Sequence, residues 1–548
     1  MTAEPPRAPQ ATSQPPAVAP SPPIGLRDLA VATMAAVFLL PLVRVLGRNG
    51  DEGTLVYGAV RVLEGDLPYR DFFECMTPGS FYWLAAFFRL FGTTFAVSRG
   101  VLLATGVGLT LLVDRLARRL APGPYDVLPS VFALVLGIPF WTATSHHWDS
   151  TLFAVASCLA LVRWVERPTH LRLFLAGLLT AVTAEFVQQK GVMMFAGCLA
   201  AILVASWQAR TPWRETLARC VVLAAGPFLL GAATLLFFHR HSGLSDLLEA
   251  VVVMPLTRYG LVNKVPYGFY FWESYVPAWL QATETLFPGP FGQAMLTALL
   301  VPLVVVLVAP FLILAACARR LWHYVRTPAD PRKFDPRLPA VALAAFALWA
   351  SESHRPDLPH LLYGSPLLFV TGFRLLRDAL APHPRMFRTT AMGLLFCIGL
   401  TGLSILLPGL RPGQWQETRR GPVWTTTRDA CLDFLMRETR PGEEVFVYPY
   451  YPMYYFLAAL KNPVRFSILT YGGYNTPAEF AQVVETLEAR RVRLVLWDTL
   501  VDHATMRSWF PNYRTPPPEE QVVEKLLKEE FEELGREGDF RVMRRRAP

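Results

Sequence analysis

The sequence predicts a polytopic α-helical membrane protein that ends in a small α/β domain, and three observations carry that prediction. Of its 548 residues, 53% are apolar and only 17% charged, against about 25% charge in soluble domains. The apolar residues fall in repeated runs, poor enough in charge to cross a hydrocarbon core about 30 Å thick as helices of roughly 20 residues. From residue 411 onward those runs stop, and helix-like and strand-like segments alternate. The formal net charge of +9 does not imply nucleic acid, because no basic stripe with interleaved aromatics accompanies it. The arginines recur instead at the ends of apolar runs.

Residues 1–25 are rich in Pro and Ala without a core pattern and read as a disordered cytoplasmic tail. The apolar run that follows has no small-residue cleavage site before its end, so it reads as an uncleaved first helix. The membrane domain then covers 26–410, with about eleven spans expected near 27–46, 94–116, 127–144, 150–165, 171–187, 191–207, 217–238, 291–317, 338–352, 359–376 and 388–408. Every second loop is basic. Arg115, Arg118 and Arg119 follow the second span, and Arg163, Arg167 and Arg172 separate the fourth from the fifth. Arg210, Arg214 and Arg219 come next; Arg319, Arg320, Arg326, Arg332 and Lys333 follow the eighth span; Arg374, Arg377, Arg385 and Arg388 follow the tenth. Lys and Arg mark cytoplasmic loops, so the alternate loops face outward, and they hold "GRNGDEG", "SHHWDS", "FVQQKG", the 239–290 loop and "SESHRPDLPH". An odd number of spans also carries 411–548 to the outer side.

That last segment alternates helix-like "TTTRDACLDFLMRET", strand-like "EEVFVYP", helix-like "PAEFAQVVETLEARR", strand-like "VRLVLWD", a charged helix over "EEQVVEKLLKEEFEEL" and strand-like "DFRVM". It carries no phosphate-loop or dinucleotide-binding glycine spacing, so its expected role is to cover the membrane site or to contact an acceptor. The seven cysteines lie mostly inside apolar runs and form neither a zinc pattern nor a disulfide framework, although Cys75 and Cys431 can both face an oxidising side.

The candidate functional residues all belong to the outward loops. Asp51 and Glu52 stand between the first span and an amphipathic helix. One acid there is explained as a helix cap. Two beside a membrane surface point to use, either as a base for an attacking hydroxyl or as ligands of a divalent cation. "SHHWDS" sets His146, His147 and Asp149 at the start of the fourth span, where Asp149 or Ser150 can cap and Trp148 can anchor. Lys190 is one of few lysines in a chain that uses Arg; it either snorkels from a helix end or offers a compact cation to a phosphate. Glu352, His354, Arg355, Asp357, His360 and Tyr363 crowd within a dozen residues beside a short helix, which suits a cavity lining at membrane depth. Arg355 has the fork for bidentate phosphate binding.

Taken in order, the outer acidic pair, the stretch "YGAVRVLEGDLPYRDFFECMTPGSFYWLAAFFRLFG", the acid opening the fourth span and the Lys-Gly of "QQKG" resemble the GT-C membrane glycosyltransferases. Among these the sequence is most similar to the bacterial protein O-mannosyltransferase and aminoarabinose transferase branch, over most of 27–376. The resemblance implies an inverting enzyme of a bacterial cell membrane. Such an enzyme takes a sugar from a polyprenyl-phosphate donor and passes it to a glycan, lipid or protein acceptor on the outer face. It implies Asp51 as the base, Asp149 as an assisting acid and Glu52 as aligning Asp51 or binding a cation. Lys190 would neutralise the carrier phosphate with help from His354 and Arg355, and Tyr57, Tyr69, His360 and Tyr363 would contact substrate or lipid. The doubled histidine of "HHWD" departs from the pattern and leaves a divalent cation open, held by some of Asp51, Glu52, His146, His147 and Asp149. Two other classes remain: a transporter or flippase of lipid-linked glycans, although no internal repeat supports it, and a non-catalytic envelope assembly protein.

Overall fold

A computed structural model describes residues 25–285, 289–326 and 335–547. The tail expected over 1–25 lies outside these but for Gly25, as do Arg332 and Lys333. Among the described residues, seven helices are long and apolar enough to cross a membrane: Leu26–Val43, Phe95–Leu120, His146–Glu166, Gln188–Gln208, Trp213–His241, Pro290–Trp322 and Pro384–Gly409. The first shows why. Val31, Ala35, Leu39 and Leu42 recur at helical spacing and are buried, while Leu29, Val37 and Leu40 point outward, as a lipid-facing side requires.

The other four expected spans are shorter helices. Leu128–Leu136 continues as a 3-10 turn over Ile138–Phe140, His170–Phe186 has 17 residues and Arg337–Ala350 has 14. The tenth breaks into Leu358–Gly364 and Pro366–Ala379, because Pro366 has no N–H to continue the ladder. Small residues let these helices close on one another: a Cβ added at Gly177 would lie 1.9 Å from the Leu223 carbonyl oxygen.

The two ends of the bundle differ. At one end the basic residues counted above find acids: Arg115 meets Asp28 at 3.0 Å, Arg320 meets Asp378 at 3.1 Å and Arg374 meets Asp335 at 3.1 Å. Arg27 bridges Asp114 and Asp126 at 2.7 and 2.8 Å. At the other end sit the acidic helix Gly50–Leu63 and the C-terminal region.

That region opens with a hairpin of β1 (Gln414–Gln416) and β2 (Val423–Thr425). A four-stranded sheet follows, from β3 (Val445–Tyr448), β4 (Leu494–Asp498), β5 (Phe531–Glu537) and β6 (Phe540–Arg545), in the order β3-β4-β6-β5. β3 and β4 run parallel with Val445 opposite Leu494, and β6 runs antiparallel to both its neighbours. The Pro477–Ala489 helix makes the crossover and opens with a capping box of Thr476 and Glu479. The final charged segment differs from its expectation. The helix stops at Glu530 and "FEELGRE" becomes β5, because pairing across β6, with Arg541 on Glu533 at 2.6 Å, overrides the local helical spacing.

Candidate active site

Asn49, not either acid, caps the Gly50–Leu63 helix: its side chain accepts the Glu52 N–H at 3.1 Å. The two acids of the first turn are therefore released from capping and point to different partners. Glu52 is fully buried. Its Oε2 takes the Arg99 Nη2 at 2.7 Å and its Oε1 accepts the Thr144 N–H at 3.0 Å. Burial raises its carboxyl above the ordinary range, with the Arg99 charge opposing. Both oxygens are thus engaged, and Glu52 ties this helix to the Phe95–Leu120 helix and to the loop before His146–Glu166. Asp51 turns the other way and accepts a hydrogen bond from the Tyr450 hydroxyl of the C-terminal region.

Glu74 lies beside this acid and was not singled out from the sequence. It is buried, its Oε1 has no hydrogen-bond partner, and its carboxyl is pushed up to about 8 by burial first and by the Asp51 charge second. A chain of contacts leads on from it: Cys75 Sγ to the Tyr474 hydroxyl at 3.7 Å, Tyr474 to Tyr259, and Tyr259 to His354.

The second cluster joins the start of the His146–Glu166 helix to the loop after Ala350. Ser145 caps that helix, accepting the His147 N–H at 3.2 Å, so neither Asp149 nor Ser150 does. Asp149 is buried and accepts from the Thr105 hydroxyl at 2.8 Å. Lys190 does not snorkel. It is 0% exposed, bonds to Glu352 Oε1 at 2.8 Å and to the Thr151 hydroxyl at 3.0 Å, and lies 5.6 Å from the Tyr363 ring. Tyr363 stacks on His147 at 4.5 Å, and His147 meets His360 at 5.0 Å.

His360 is held from behind. Asp357 caps the short Leu358–Gly364 helix and its Oδ1 pairs with His360 Nδ1 at 2.6 Å, while its Oδ2 accepts from Arg355 Nε at 2.6 Å. These partners hold the Asp357 carboxyl near 2, against the opposing effect of burial. Arg355 also reaches the Asn263 side chain at 2.7 Å and the Trp509 carbonyl at 3.2 Å, so its fork joins the membrane part to the C-terminal region. His354 Nδ1 faces the Ser351 carbonyl at 3.0 Å, and burial lowers its imidazole to about 4.

The five residues expected to share a cation are not brought together as one set. Among the described residues, the group whose ligand atoms lie within 4.8 Å of one another is His147, Glu352 and His360. Glu352 and His360 enter from the later loop. Tyr57 and Tyr69 are also committed elsewhere: the Tyr57 hydroxyl accepts the Asn462 N–H at 2.9 Å, and the Tyr69 hydroxyl donates to the Met76 carbonyl at 2.7 Å. A cleft of about 610 Å³ opens farther along the same helix, between Arg61 and the Lys461–Phe466 loop. Tyr57 also lines it, so at 1.5 Å per residue it begins about 9 Å along the helix from Asp51, and it contains neither cluster.

The bundle and the α/β region define the class: a polytopic membrane protein of the GT-C fold. No protein-family model and no curated protein matches the chain. Two solved enzymes share the fold. The oligosaccharyltransferase of Archaeoglobus fulgidus, solved with Zn and sulfate, superposes with a TM-score of 0.51 at 14% identity, over 87% of this chain and 69% of that one. ArnT of Cupriavidus metallidurans, bound to undecaprenyl phosphate, superposes with a TM-score of 0.50 at 13% identity, over 94% of this chain and 97% of that one. Its apo form gives 0.51 at 12% identity.

Proposed function

We propose that this protein is an inverting glycosyltransferase that moves a sugar from a polyprenyl-phosphate carrier to a hydroxyl of a glycan, lipid or protein acceptor. The observation that carries the reading is the division of the acidic pair. Glu52 is consumed by Arg99 and Thr144, while Asp51, one residue earlier, accepts a hydrogen bond from a neutral hydroxyl and has no ion pair with Lys or Arg among the described residues. The shared fold supports it, since the ArnT structure holds undecaprenyl phosphate. In this reading 26–410 is the transferase, and 1–25 lies in the cytoplasm. The clustered end and 411–548 face the outside of a bacterial cell membrane, because the arginine-rich loops gather at the opposite end.

Asp51 takes the proton of the acceptor hydroxyl as its oxygen attacks the anomeric carbon. The bond from that carbon to the carrier phosphate oxygen breaks, and its electrons stay on the phosphate. Lys190 moves from Glu352 to the departing phosphate, with His354 and Arg355 supporting it by position. Asp149, held by Thr105, fixes the helix start that carries His147.

The residues fit a divalent cation at His147, Glu352 and His360. Two imidazoles and a carboxylate are the donors of an open zinc site. Asp357 on Nδ1 of His360 leaves Nε2 for an ion, and Glu352 Oε2 is buried with no hydrogen bond. An ion there supplies positive charge against the carrier phosphate.

Reconstituted protein given a panel of radiolabelled polyprenyl-phosphate sugars should yield a covalently labelled acceptor and free polyprenyl phosphate in equal amounts. Movement of the labelled lipid across the bilayer without a labelled product would replace this reading with the transporter.

A further inference from the structure

We propose that Tyr450 is the positioning residue of Asp51, so that the C-terminal region completes the active site rather than merely covering it. This rests on Asp51 acting as the acceptor base. The Tyr450 hydroxyl donates to Asp51 Oδ1, which leaves Oδ2 to the incoming hydroxyl. A base oriented by a third group is the arrangement that nucleophilic sites use generally.

The seat for this contact is built into both segments. A Cβ at Gly50 would lie 2.4 Å from Cζ of Tyr450, and one at Gly53 would lie 2.3 Å from the Met453 backbone nitrogen. The first helical turn therefore admits the Tyr450–Met453 loop only because these two positions carry no side chain. The loop is fixed from its other side as well. Tyr454 donates to Asp429 at 2.9 Å, and the Val447 N–H of β3 donates to the Tyr455 hydroxyl at 2.8 Å. Burial and the neighbouring Asp51 charge keep the Tyr450 phenol protonated, hence a donor. A carboxylate free to turn about two side-chain bonds is thus held by a hydroxyl on a rigid support, and small displacements of a catalytic group carry large rate penalties.

The test compares Tyr450→Phe, which keeps the ring on Gly50, and Gly50→Ala, which keeps both side chains but displaces the ring. In full-length protein, both should lower kcat for sugar transfer by about tenfold or more while KM for donor and acceptor stays within about twofold. Full kcat in Tyr450→Phe overturns the proposal, and so does a change confined to acceptor KM, which would make Tyr450 a plug. A wild type that transfers no sugar overturns the underlying reading and the positioning role with it. The contact is then judged alone by thermal unfolding of Tyr450→Phe, Asp51→Ala and the double variant. Non-additive shifts in Tm uphold the pairing, and additive shifts remove it.

Discussion

Replacing Glu52 by Gln should damage the protein's stability far more than its chemistry. Glu52 is 0% exposed and the Arg99 side chain 5%, with 2.7 Å between their charged atoms. The substitution leaves the Thr144 N–H an acceptor but strands a guanidinium away from water. Breaking one side of a buried ion pair costs about 3–5 kcal/mol, whereas replacing both partners by apolar residues of similar volume is commonly neutral or better. Glu52→Gln should therefore lose about 3 kcal/mol or more, and Glu52→Met with Arg99→Met should lose less than about 1 kcal/mol. In a chain of 150–250 residues each kcal/mol moves Tm by about 2–4 °C, and less in a longer one, so the single variant should melt several degrees early. Thermal unfolding in detergent, followed by intrinsic fluorescence, reads both variants. Equal losses in the single and double variants, or none in the single, would refute the ion-pair argument.

Glu74 sets a pH dependence. Its ordinary value of 4.5 rises to about 8 on folding, so the folded state binds the proton more tightly and stability falls as pH rises from about 4.5 to about 8, by a few kcal/mol. Glu74→Gln should flatten that window in melting curves, and a wild type parallel to the variant would contradict the shift. Lys190→Met should destabilise the protein by about 3–5 kcal/mol through the stranded Glu352, whereas Lys190→Arg should keep the charge and much of the fold while raising donor KM. Metal analysis of purified protein should find about one zinc per chain after equilibration and release by a chelator. His360→Ala should lose both the zinc and the zinc-dependent rise in Tm.

The sequence carried the periodic information well. Apolar runs gave the long helices, the arginine alternation anticipated the ion-paired end, and the alternating segments anticipated β3, β4 and β6. Long-range partners were not legible. Asp51 and Tyr450 stand 399 positions apart and Glu52 and Arg99 stand 47 apart, and nothing in local spacing joins them. Arg99 left one trace, a charge a single turn inside an apolar run, which is costly unless paired. Glu74 sat in a stretch already singled out but looked like an ordinary loop acid until burial was known. Lys190 was flagged by rarity, yet its burial against Glu352 follows only from how two loops converge. The proposed cation group differs from the expected one for the same reason: His147 was in view, and Glu352 and His360 come to it through tertiary packing.

In the proposed reaction Asp51 is the base and Glu52 its structural neighbour. The measurement that reaches this assignment most directly is sugar transfer from labelled polyprenyl-phosphate donors by wild type and Asp51→Asn, with melting temperature recorded on the same preparations. Asp51→Asn should lose about a hundredfold or more in transfer with Tm close to wild type. Full transfer by Asp51→Asn would contradict the assignment.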